Sequence, residues 1–232
     1  MATHRTAVPV EAVLLDAFGT LLHLDDPVPR LGALLADAGH PHPADRVGRA
    51  LAEEIAYYRR NLHRGRDEGS LAALRLDCAR VLGDALDGTT PPPERLSRIL
   101  LEALRFDLAP DALPALDALR GAGVRLAVVS NWDCSLPAVL ASLGVADRFD
   151  AICASAPVGA AKPDPAIFHH ALGLLGVRPE NALHCGDSLD ADCAGARAAG
   201  LRAVLIDRSA VLSTGPCPRI TTLADLAPWL TA

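Results

Sequence analysis

The sequence predicts an α/β fold, a doubly wound parallel sheet interrupted by a helical insertion, and three observations predict it. An apolar run, Val13 to Leu22, carries Asp16, Gly19 and Thr20 and begins as a strand buried on both faces, as in a parallel sheet. Beyond Pro110, short apolar runs alternate with helix-period segments that stop at glycine, the rhythm of a parallel βα sheet. Between the two lies a long stretch, residues 24 to 106, with helical periodicity and no convincing strand.

Taken in order, the first strand is followed by Asp25, Asp26, Pro27 and Pro29, which end one regime and open another. Leu31, Leu34, Leu35 and Ala38 recur at helix spacing up to Gly39. Val47, Leu51, Ile55 and Tyr58 define a second helix, Leu71, Leu74, Cys78, Val81 and Leu82 a third, and Leu96, Ile99, Leu100 and Ala103 a fourth behind three prolines. Four helices exceed what one βαβ crossover needs, so residues 24–106 read as an inserted helical domain and 1–23 with 107–232 as the core. The core then reads as helix 112–120, strand 124–130, helix 137–143, strand 150–155, helix 165–175, strand 182–187, helix 190–199 and strand 202–207. A loop around Gly215-Pro216 and a helix over 223–230 complete it.

Composition narrows the function. The chain has 232 residues, half of them hydrophobic, and a formal net charge of -6. That suits a sizeable core, and arginines scattered among acids give no electrostatic footprint for nucleic acid. No stretch is apolar for the length of a membrane span, and Met1 to Pro9 does not read as a leader, so a cytoplasmic protein is expected. Six cysteines stand singly, without a CxxC pair, and read as buried reduced thiols.

Four stretches carry chemistry. Asp16 ends a strand at the sheet edge that borders ligand crevices in open α/β folds, although a helix cap is an equally good reading of Asp16 alone. Thr20 offers a hydroxyl to an anionic ligand, and Ser130-Asn131 end another strand with a hydroxyl and a backbone amide. Lys162 sits among Pro163, Asp164 and Pro165, where a solvated surface lysine is the plain alternative. Asp187, Asp190 and Asp192 crowd one strand-to-helix turn, where three acids repel unless a cation joins them, most simply Mg²⁺.

In this order the four stretches resemble the haloacid dehalogenase-like (HAD) hydrolase superfamily, from Val13 to about Asp207, with the helical insertion in the position of that family's cap. The resemblance implies a Rossmann-like core. It further implies that Asp16 is the nucleophile, Lys162 its electrostatic partner, and Thr20, Ser130 and Asn131 the substrate-binding groups. Mg²⁺ would take Asp16, the backbone carbonyl of Phe18, Asp187 and Asp192, with Asp190 facing solvent or the cap. The implied activity is Mg²⁺-dependent hydrolysis of a small phosphorylated molecule through an aspartyl-phosphate.

Phe18 departs from that pattern, because phosphatases of the superfamily usually have a second Asp there as general acid. Asp-Ala-Phe-Gly-Thr is similar to the first motif of the metal-independent 2-haloacid dehalogenases, which is one alternative. A catalytically weak domain that binds a phosphorylated ligand or a protein is another. His23, Tyr57, Tyr58, Arg59 and His63 are the polar or aromatic candidates for substrate contacts from the insertion. Nothing in the sequence sets an oligomeric state.

Overall fold

The computed structural model describes residues 9–210 and 216–231. The expectations for Met1–Val8 and for Gly215 fall outside them. Among the described residues the strands are β1 (Ala12–Leu15), β2 (Leu22–Leu24), β3 (Phe106–Leu108), β4 (Arg125–Ser130), β5 (Ala151–Ala154), β6 (Ala182–Gly186), β7 (Arg202–Ile206) and β8 (Arg219–Ile220). The α-helices are α1 (Pro27–Asp37), α2 (Ala44–Asn61), α3 (Glu68–Leu86), α4 (Pro93–Ala103), α5 (Ala112–Gly121), α6 (Leu136–Ser142), α7 (Ser155–Val158), α8 (Pro165–Leu175) and α9 (Gly195–Ala198).

The core is a six-stranded parallel sheet in the order β5-β4-β1-β6-β7-β8. Strand β1 is central and buried along its whole length, which is why its residues are apolar without alternation. The chain runs outward from β1 through β4 and β5, then returns to β6 on the other side. That reversal falls at the carboxyl ends of β1 and β6, the position where open α/β sheets take their ligands. One face of the sheet is filled by Leu14, Ala127, Val129, Ile167, Phe168, Leu172, Cys193 and Ala196, among others.

The chain divides into two compact units, one formed by Leu24–Asp107 with Trp132–Ser135, the other by the rest. In the helical unit α1 to α4 bury Leu31, Leu35, Val47, Leu51, Leu74, Leu82, Leu96 and Leu100 around one interior. Asp67 caps α3, accepting from Ser70 N at 2.9 Å while the Ser70 hydroxyl takes the Asp67 N–H, a reciprocal pair that settles two orphan donors. Among the contacts of the segment Trp132–Ser135 within this unit, Trp132 lies 5.2 Å from the Phe106 ring, Tyr58 donates to Asp133 at 2.8 Å, and Cys134 N donates to Gly65 O at 2.8 Å. Sequence periodicity assigns that segment to the core, since it follows β4 directly.

Three local expectations change. Cys193 and Cys217 form a disulfide with their Cα atoms 6.2 Å apart, so only Cys78, Cys134, Cys153 and Cys185 are free thiols. The pairing is invisible in sequence because 24 residues separate the partners and only the fold brings them together. The helix expected over 190–199 begins as a wide π-turn, Leu189–Ala194, in which Cys193 N reaches back to Ser188 O, and only Gly195–Ala198 is α-helical. The segment 223–230 is a run of 3₁₀ turns, where Pro228 lacks the N–H an α-helix would use.

Candidate active site

Each chemical group sits where a core strand ends. Asp16 follows β1, and its N–H donates to Cys185 O of β6 at 2.9 Å, continuing the sheet bonding one residue beyond the strand. The chain then turns at Gly19, with φ of 84°, a conformation that favours glycine. A Cβ at Gly19 would fall inside the Asp187 carboxylate, and one at Gly186 inside that of Asp192. Two glycines therefore make room for two carboxylates, and a side chain at either would have to displace the carboxylate it faces.

Lys162 is the only lysine among the 22 Lys and Arg residues of the chain. It is also buried, at 6% exposure, and its Nζ donates to Asp16 Oδ1 at 2.6 Å and to Asp192 Oδ1 at 2.5 Å. A compact ammonium fits between two carboxylates where a planar guanidinium would not. Burial works against its charge, but the charges of Asp16 and Asp192 outweigh it and raise the Lys162 pKa. Its backbone is pinned by Asn131, whose side chain donates to Lys162 O at 2.9 Å and accepts from Lys162 N at 2.8 Å. Ser130, next to it, is buried at the end of β4.

Asp192 is held by three donors. Oδ1 takes Lys162 and His184 Nε2, the latter at 2.9 Å, while Oδ2 takes Ser188 N at 2.9 Å. Burial alone would raise its pKa, but the His184 hydrogen bond and the Lys162 charge hold the carboxyl well below the usual range. Asp187 behaves oppositely. Desolvation and then the negative charges of Asp16 and Asp192 push its pKa up to about 6.

Asp16, Asp187 and Asp192 each present an oxygen within 4.8 Å of the others. Three carboxylates against one ammonium leave an excess of negative charge, which adds to desolvation in raising the Asp187 pKa. Every donor in the cluster is a hard oxygen, so the residues fit a small divalent cation such as Mg²⁺. Asp190, in the same turn, is exposed and lies outside the cluster.

The remaining sequence candidates take various places. Thr20 is fully buried, and its hydroxyl has no partner among the described residues. Phe18 is 39% exposed and bridges to Leu22. In the helical unit Tyr57 accepts from Arg64 at 3.0 Å and Tyr58 bonds Asp133, whereas His23 belongs to the core unit.

Two groups near the site escape sequence reasoning. His184 looks like one more residue of a buried strand, and its only signal is a polar side chain inside Ala182-Leu183-His184-Cys185-Gly186. Arg208 donates to Thr20 O at 2.7 Å while Asp111 grips its guanidinium at 2.9 and 3.0 Å, a clamp on the turn after Asp16 that joins residues far apart in the chain.

The family model described as haloacid dehalogenase-like hydrolase matches residues 10–200. A phosphoserine phosphatase of Thermus thermophilus is 40% identical over 135 residues, which make up 56% of this chain and 54% of that protein. A phosphoglycolate phosphatase of Rhodospirillum rubrum is 32% identical over 95% of this chain and 90% of its own length. A solved HAD phosphatase from Thermococcus onnurineus is 28% identical with a TM-score of 0.66, covering 95% of this chain and 98% of that one. A 2-haloacid dehalogenase from Pseudomonas syringae pv. Tomato DC3000 is 25% identical with the same TM-score of 0.66, covering 95% and 97%. The chain spans about half the length of the first curated relatives it matches, among them the Thermus enzyme at 54%. With the match over 10–200 and the sheet order and site geometry above, the chain belongs to the haloacid dehalogenase-like hydrolases.

Proposed function

We propose that this protein is a Mg²⁺-dependent phosphomonoester hydrolase with Asp16 as nucleophile and a small phosphorylated molecule as substrate. The single observation that carries the reading is the cluster of Asp16, Asp187 and Asp192 around one buried Lys162. A metal-free displacement has no use for the two added carboxylates.

In this reading Lys162 fixes Asp16 through Oδ1, leaving Oδ2 to attack phosphorus. A bond forms between Asp16 and the phosphoryl group as the ester oxygen departs, and water then cleaves the acyl phosphate. Ser130 and backbone N–H groups after β4 bind the transferring oxygens, and Asn131 keeps Lys162 in place. Thr20, although buried, stands in the same turn and completes the loop that holds the phosphoryl group. Mg²⁺, held by Asp16, Asp187, Asp192 and the Phe18 carbonyl, would neutralise phosphoryl oxygens as charge builds on them. Because the site works by positioning and charge, it requires no catalytic triad.

A second reading, 2-haloacid dehalogenase, is favoured by Phe18, which cannot donate a proton to a leaving alkoxide, and by the shared fold of the Pseudomonas enzyme. Phe18 also shapes the test. Aryl and acyl phosphates should turn over faster than alkyl phosphates by roughly 10²–10⁴-fold, the usual worth of general acid catalysis. A panel of these esters with and without Mg²⁺, run beside 2-chloropropionate, separates the readings. Phosphate release that depends on Mg²⁺ supports the first, and metal-independent chloride release replaces it with the second.

A cytoplasmic location belongs to the same proposal. No helix among the described residues is long and apolar enough to cross a membrane, and four cysteines are free. The state of Cys193 and Cys217 in protein taken from its native cells tests the location: reduced thiols there support it, and a persistent disulfide, the mark of an oxidising compartment, overturns it.

A further inference from the structure

His184 sits in the middle of β6 with no exposed surface. On one side the Phe168 ring meets it edge-on, with centroids 5.0 Å apart and planes at 82°. Across the ring, Nε2 lies 2.9 Å from Asp192 Oδ1, and Nδ1 is buried without a partner among the described residues. An ionised carboxylate only accepts, so Nε2 carries the hydrogen.

We propose that His184 is a positioning residue, acting on the reaction only through Asp192; the inference rests on the phosphatase reading above. Asp192 Oδ1 is shared between His184 and Lys162, and Lys162 Nζ is shared in turn between Asp192 and Asp16. The three bonds form one chain from β6 to the nucleophile. Removing the His184 donor leaves Oδ1 to Lys162 alone and frees the carboxylate to turn about its Cβ–Cγ bond, with Ser188 N its only other anchor. Lys162 then follows Asp192 or Asp16 but no longer has a fixed point between them. Donors behind metal-binding carboxylates are typically worth about 10–100-fold in metal affinity or activity. His184 has no route to substrate, so binding of the substrate itself does not depend on it.

Glutamine and methionine test this, because they are nearly the same shape and only glutamine donates. His184→Gln is expected to keep kcat within about threefold of wild type, and His184→Met to lose about tenfold or more with KM unchanged. Mg²⁺ binding measured by calorimetry should weaken in the same order. Equal kcat and equal Mg²⁺ affinity in the two variants would overturn the proposal, as would a loss confined to KM. Wild-type protein is measured first: if it releases no phosphate with Mg²⁺, the phosphatase reading fails, whereas a wild type that does so beside an unimpaired His184→Met fails this inference alone. Nitrogen–proton correlation spectra of wild-type protein add a readout free of variants and of activity. They should show a proton on His184 Nε2, and a ring bare at Nε2 sinks the proposal even if neither variant folds.

Discussion

Each unit buries carboxylates, and Asp192 of the core and Glu54 of the helical unit are shifted in opposite directions. In the core, Asp16 and Asp192 share the Lys162 ammonium, and Asp192 stays ionised despite its burial. In the helical unit Glu54 is buried to 4% exposure on α2 with Cys78 beside it, and burial, only partly offset by that hydrogen bond, pushes its pKa up to about 7. Tyr58, one turn further along α2, donates to Asp133, and burial followed by the Asp133 charge raises the tyrosine pKa. What separates Asp192 from Glu54 is therefore the ammonium and the His184 hydrogen bond packed against it, not depth alone. The core places its one lysine between Asp16 and Asp192, a pairing that serves the nucleophilic attack and metal binding proposed above.

The contrast between the units can be disrupted most severely at Asp16. Asp16→Asn should lower turnover by at least about 10³-fold while leaving the fold intact, because an amide is a poor nucleophile. Steady-state phosphate release with circular dichroism as the folding control measures it, and residual activity above about a tenth of wild type removes Asp16 from the role.

Next in size is the cation. Lys162→Met leaves Asp16 and Asp192 buried without an ammonium and should cost about 3–5 kcal/mol of stability in chemical denaturation, the usual penalty for breaking a buried pair from one side. Lys162→Arg keeps the charge but not the shape, and it should also lose most activity. An Arg variant with wild-type turnover would show that charge alone matters at this position.

Glu54 probes the helical unit. Its folded pKa of about 7 lies above the reference value of 4.5. Between the two the folded protein keeps a proton that the unfolded chain has shed. The associated stability is therefore full below the reference pKa and is lost as pH rises through about 7. At about 1.4 kcal/mol per pH unit, the whole effect is about 3 kcal/mol. Glu54→Gln should flatten this dependence, making the protein more stable than wild type at pH 8 and nearly equal to it at pH 4.5. Unfolding midpoints across that range check the sign, and a wild type that gains stability from pH 5 to pH 8 with no such gain in the variant contradicts it.

The smallest effect is expected at Tyr58. Tyr58→Phe leaves Asp133 with Ser135 N at 2.7 Å and should cost about 1–2 kcal/mol, with hydrogen exchange at Trp132–Ser135 rising accordingly. Unchanged exchange there would mean that the Trp132 ring, not the Tyr58 hydroxyl, holds the segment.

How much of this was legible in the sequence depends on the range over which each signal acts. Burial on both faces writes itself directly into residue type, so β1, β4 and β6 are apolar runs. The four helices of the insertion show their inward stripes in the same way. The order Asp16, Ser130, Lys162, Asp187 and Asp192 is likewise linear information, and sheet topology carries those positions to one edge. That Lys162 is the chain's only lysine is also written in the sequence, and composition alone singles out the position.

The pairings, by contrast, were set by the three-dimensional fold. Which acid stays charged, that Asn131 serves Lys162 with its side chain, and that His184 and Arg208 reach Asp192 and Thr20 depend on contacts between residues up to 188 positions apart. The same holds for the Cys193–Cys217 bond and for the attachment of Trp132–Ser135 to the helical unit. Hydrophobic periodicity records the surroundings of a residue averaged along its own element. A hydrogen bond or a close charge is set by one partner at about 3 Å, and nothing in the local sequence says which partner that is.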